Sequence, residues 1–93
     1  MKLLLHQEIE YDNCAVFGKS EYGMVVLEKE LEIPVLPTAE QRIDNLFVVD
    51  YCNYNSETER WSAISSVLIK DKTKYERTIK QFEKMGFKII SRE

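Results

Sequence analysis

The sequence predicts an α+β domain: a mostly antiparallel sheet of five to six strands, with one C-terminal helix packed on one face. Two observations carry this. Residues 73–85 place apolar side chains at helical spacing, and much of the chain before them alternates with a period of two. The order reads β-β-β-(short helical turn)-β-β-α-β. At 93 residues, the chain has room for a single domain, 1–93, with one core.

The elements follow in order. Leu3, Leu5 and Ile9 mark an N-terminal strand. CAVFG (14–18) reads as the next strand, joined through KSEY to a long strand running from Met24 to Val35. In that long strand Val25, Leu27, Leu31, Ile33 and Val35 share one face, with Lys29 the exception. Met24, Val26, Glu28, Glu30 and Glu32 occupy the other, which predicts a half-buried strand with an acidic solvated face. Pro34 and Pro37 end it, because proline cannot donate to a sheet ladder. Thr38 followed by Gln41 predicts a capped helical turn through Asn45.

LFVVDYC (46–52) and WSAISSVLIK (61–70) are the next two strands, joined by the turn-forming NYNSETER as a hairpin. The helix begins about residue 73, with Thr73 and Glu76 as a capping box and Asp71 as an alternative cap. Tyr75, Ile79, Phe82 and Met85 form its apolar stripe. Gly86 suits the left-handed position after the helix, which puts Phe87 against Phe82 in a Schellman ending. A last strand, FKIIS, follows.

Composition narrows the function classes. No apolar run is long enough to span a bilayer, so no membrane partner is expected. MKLLLHQEIE meets His6 and Glu8 before a signal-peptide core could form, so a cytoplasmic location is expected. Two cysteines, Cys14 and Cys52, suggest reduced thiols rather than a disulfide framework. Neither has a local base or cation to activate it as a nucleophile. Neither CxxC, HxxxH nor a calcium-loop pattern occurs, and Glu28, Glu30 and Glu32 stand about 6.6–7 Å apart along a strand, too far for adjacent pairs to hold one ion. GKS at 18–20 lacks the upstream glycine of a phosphate-binding loop. The sequence therefore points to no catalytic residue, no metal and no cofactor.

Charge is unevenly divided. Residues 1–69 hold five Lys/Arg against twelve Asp/Glu, a balance of −7, while residues 70–93 hold eight against four, a balance of +4. Such polarity favours oriented encounters with a protein partner or self-association as a homo-oligomer. It is also what one acidic sheet surface and one basic helix would give.

The expected function is a small non-catalytic interaction or regulatory domain acting as subunit, inhibitor or adaptor. Its partner-binding residues would be Tyr51, Tyr54 and Trp61 around the hairpin, where an aromatic pair can also stabilise the turn by up to about 1 kcal/mol. Arg77, Lys80 and Lys84 on the outer helix face would add charge. The alternative is a small-molecule site or small enzyme with a pocket near Asp50 and His6. Nucleic-acid contact through the basic helix face ranks third, because a pI near 5.2 opposes it.

Overall fold

The computed structural model describes residues 1–14, 20–43 and 45–93. Its main layer is a five-stranded sheet built from β1 (Lys2–Cys14), β2 (Ser20–Glu32), β5 (Tyr51–Asn55), β6 (Arg60–Ile69) and β7 (Lys88–Arg92). The spatial order is β5-β6-β1-β2-β7. A two-stranded ribbon, β3 (Arg42–Ile43) with β4 (Phe47–Val48), forms a separate hydrogen-bonded sheet, and α1 spans Lys72–Lys84. The α+β class and the single C-terminal helix match the sequence reading.

The first hairpin differs from expectation. β1 runs unbroken from Lys2 to Cys14 and pairs antiparallel with β2 along its whole length, from Lys2 opposite Glu32 to Cys14 opposite Ser20. The partner of β2 is therefore the N-terminal strand itself. The strand expected at 14–18 lies outside the described residues except for Cys14, which ends β1. β2 also starts at Ser20, within the stretch read as a turn, and stops at Glu32 ahead of Pro34. Two paired 13-residue strands bury alternate side chains against the helix layer, and that outweighs local turn chemistry.

LFVVDYC is not one strand. Phe47 and Val48 pair with Ile43 and Arg42, and Tyr51–Asn55 pairs with β6 after a break at Val49–Asp50. Both Phe47 and Val49 are buried, so the segment dips into the core before joining the sheet. The helical turn expected at 38–45 is replaced by a turn at 39–40 followed by β3. The Gln41 side chain nonetheless accepts the Thr38 N–H at 3.1 Å, so half of the expected capping interaction forms without a helix.

β6 lies beside β1 and parallel to it, from Leu3 opposite Trp61 to Tyr11 opposite Ile69. Because β1 is antiparallel to β2 and β2 to β7, β6 and β7 run in the same direction. The chain must then cross the sheet between them, and α1 is that crossover. Asp71, rather than Thr73, is the N-cap: its carboxylate accepts the N–H groups of Thr73 and Lys74 at 2.8 and 3.3 Å.

The helix end follows the sequence closely. Gly86 has φ +94°, the Phe87 N–H donates to the Phe82 carbonyl at 3.1 Å, and the two rings meet edge to face at 5.0 Å. Tyr75, Ile79 and Phe82 are buried against Leu3, Leu5, Ile9, Tyr11, Val25, Leu27 and Ala63. Met85, expected on that stripe, is exposed.

Candidate functional site

Because α1, residues 33–43 and residues 45–50 cover one face of the sheet, strand alternation fixes what the other face carries. The inward residues of β1 are Leu3, Leu5, Gln7, Ile9 and Tyr11, all buried. Leu4, His6, Glu8 and Glu10 therefore point to the uncovered side, and all four are half-buried. The register places Met24, Val26, Glu28 and Glu30 of β2 beside them, with Ser62, Ile64, Ser66 and Leu68 of β6 on the opposite flank. Tyr51 pairs with Ile64 and extends this face onto β5. It is a surface of apolar side chains interleaved with carboxylates, with His6 near its middle.

His6 is the most connected polar group there. Its Nδ1 lies 2.9 Å from a Glu28 carboxylate oxygen across the strand pair, and its Nε2 lies 3.2 Å from Glu8 on its own strand. The Ser66 hydroxyl donates to the second oxygen of Glu8 at 3.1 Å. Partial burial pulls the His6 pKa down, but the hydrogen bonds and charges of Glu28 and Glu8 outweigh it, so the pKa is raised above 6.5.

The sequence-selected residues fall on separate surfaces. Tyr51 lies on the uncovered face and is 58% exposed. Tyr54 and Trp61 do pair, with ring centroids 5.2 Å apart, but on the opposite face, where Trp61 packs against the core. The loop between them satisfies its own polar groups, the Asn55 side-chain Oδ1 accepting the N–H groups of Glu57 and Thr58 at 3.0 and 3.4 Å. Arg77, Lys80 and Lys84 are exposed on α1, beyond the buried stripe. The basic helix face and the acidic sheet face thus look outward from opposite sides of the two layers.

Asp50 and His6 do not come together. Asp50 borders a cavity of about 260 Å³ between sheet and helix, lined by Gln7, Ser65, Thr78 and Phe82 among others. Its carboxylate is exposed and accepts the Ser66 N–H at 2.7 Å, extending the β5–β6 ladder by one bond. The Cys52 thiol donates to the Pro37 carbonyl at 3.5 Å, and burial pushes its pKa up, away from a reactive thiolate. Among the described residues, no group of three or more His, Cys, Asp or Glu is arranged to hold a metal. Nor is any helix among them long and apolar enough to cross a membrane.

A second cavity, about 310 Å³, lies at the other end of the helix and is lined by Tyr11, Tyr22, Gly23, Tyr75 and Arg92 among others. Four of its charged groups are paired, Lys72 with Glu21 and Arg92 with Glu76, and Glu93 also lines it.

Sequence reasoning missed Leu4, Glu8, Ile64 and Leu68 as parts of one surface. The signal was present in β1, where Leu4, His6, Glu8 and Glu10 alternate with the core residues. Joining it to β6 required the parallel β1–β6 pairing, which no local pattern announces. Comparisons with protein-family models, curated proteins and solved structures found no match to this chain.

Proposed function

We propose that this domain is a non-catalytic protein-binding module that docks its partner on the uncovered face of the sheet. The observation that carries this reading is the one-sided layering: among the described residues, helix and core cover only one face of a five-stranded sheet. The other face keeps Leu4, Met24, Val26, Ile64 and Leu68 at least partly accessible. Covering such side chains supplies the apolar core of an interface.

Charge selects the partner. Glu8, Glu10, Glu28 and Glu30 stand among these apolar groups, so the complementary surface presents apolar side chains flanked by lysine or arginine. Arg60 already reaches Glu30 at 3.7 Å from β6, an internal precedent for a cation seated on this face.

The test compares capture from host lysate by three forms of the chain: unaltered, Val26→Lys with Ile64→Lys, and Arg77→Glu with Lys80→Glu. The expected result is a stoichiometric, basic protein partner lost with the sheet-face pair and kept with the helix-face pair. The reverse pattern would move the docking surface to α1. Capture of nucleic acid, weakening steeply with salt, would replace the protein partner altogether.

A further inference from the structure

We infer that His6 makes docking on the uncovered face acid-sensitive: protonated, it holds Glu8 and Glu28 to itself, and neutral, it leaves a carboxylate for a cationic partner. This rests on the docking reading above and adds its regulation. The geometry is a bridge. Each ring nitrogen has its own carboxylate, Nδ1 with Glu28 at 2.9 Å and Nε2 with Glu8 at 3.2 Å.

An imidazolium donates from both nitrogens and satisfies both carboxylates at once. A neutral ring carries one N–H, so one carboxylate then faces a lone pair and loses its hydrogen bond from the ring. Deprotonation thereby takes the three-residue cluster from one net negative charge to two, in the middle of the proposed docking face.

The surroundings of His6 are accounted for on every side. β1 contributes Glu8, with Glu10 two residues beyond it. β2 contributes Glu28 directly opposite, with Glu30 beyond it. β6 contributes Ile64 opposite His6, and Ser66, which is bonded to Glu8. Cations on this face include Lys88 of β7, opposite Glu28 on its far side, and Arg60 of β6, 3.7 Å from Glu30. His6 is the one histidine in the sequence, the side chain whose ordinary range lies near neutral pH. A partner's lysine or arginine must compete with the imidazolium for Glu8 and Glu28, so binding and protonation oppose one another. By reciprocity, docking expels the proton.

The experiment uses the full chain and an end-blocked peptide of alternating lysine and leucine, seven residues long, as probe. Affinity is read from amide chemical shifts at about pH 5.5 and about pH 8, either side of the usual histidine range. The expected result is binding about three- to tenfold tighter at the higher pH, with shifts at Leu4, Val26 and Ile64. His6→Gln, which keeps hydrogen bonding but does not titrate, should bind equally at both.

Equal affinity at both pH values in the unaltered chain, or the same pH dependence in His6→Gln, would overturn the inference. A probe that shifts nothing on this face strikes the docking reading instead. The switch is then decided in the free protein, where the chemical shifts of the side-chain carboxyl carbons bonded to the His6 ring should move at the midpoint of the ring's own titration. Separate midpoints would end it.

Discussion

The Lys29 ammonium donates a 2.7 Å hydrogen bond to the carbonyl oxygen of Met85, tying the middle of β2 to the C-terminal cap of α1. It also lies 5.9 Å from the centroid of the Phe87 ring. Lys29 shares a strand face with Leu27 and Leu31, so in sequence it looks like an error in the apolar pattern. In three dimensions it is a cation placed where the helix dipole is negative and the last carbonyls lack partners. A β-carbon at Gly86 would meet the Lys29 stem at 3.5 Å, so the lysine passes closely over the helix end.

Lys29→Met keeps a long apolar stem and removes only the ammonium. The expected cost is about 0.5–1.5 kcal/mol in urea unfolding. Lys29→Ala should cost more, because the stem packing is lost as well. Unchanged stability in Lys29→Met would show that water replaces the ammonium without penalty.

Tyr75 and Gly23 form a second coupled pair. The Tyr75 hydroxyl is buried with no hydrogen-bond partner among the described residues, and burial raises its pKa. A β-carbon on Gly23 would sit 3.3 Å from that hydroxyl oxygen. Tyr75→Phe removes a desolvated polar atom and should be neutral or stabilising by up to about 1 kcal/mol. Gly23→Ala gains from a less flexible unfolded chain but presses on the hydroxyl. It should therefore be better tolerated with Tyr75→Phe than alone. A double-mutant cycle on thermal unfolding reads the coupling, and strict additivity would deny the contact.

His6 also links folding to pH, independently of any partner. Its folded pKa is raised above 6.5. The stability it contributes is then fully present below the unfolded pKa of about 6.5 and is lost as pH rises through the folded value. The stability gap between the unaltered chain and His6→Gln should be widest in mild acid and shrink above neutrality. Urea midpoints from about pH 5.5 to about pH 8.5 measure it. A gap that widens with pH would contradict the raised pKa.

What the sequence made legible depended on the range of the physics. The helix, its Gly86 ending and the Phe82–Phe87 contact are set by residues within a few positions of one another, and they appear as expected. The choice of Asp71 over Thr73 as cap was open locally, because both precede the apolar stripe. Longer-range choices were not legible. The parallel β1–β6 pairing joins residues 58 apart, as in Leu3 with Trp61. The split of LFVVDYC depends on Phe47 and Val49 finding space in the core. The candidate site inherits that limit. Its β2 carboxylates were visible as one strand face, but their neighbours on β6 became visible only through the pairing.

Tyr54 and Trp61 give the sharpest test of which surface binds. They were selected from sequence as partner contacts, but they meet as a tilted pair on the helix side of the sheet, and Trp61 also packs against the core. Trp61→Ala should therefore destabilise the fold by about 2 kcal/mol, below the cost at a fully buried site because the residue is only half-buried. Tyr54→Ala should cost about 0.5–1 kcal/mol, the worth of a cross-strand aromatic pair. Neither Tyr54→Ala nor a Phe at that position should alter binding of the lysine–leucine probe. Tyr51→Ala should weaken that binding several-fold at nearly unchanged stability, since Tyr51 lies opposite Ile64 on the proposed docking face and is exposed. Loss of binding with Tyr54→Ala and none with Tyr51→Ala would place the partner on the helix side of the sheet, where the basic stripe of Arg77, Lys80 and Lys84 would favour an acidic partner instead.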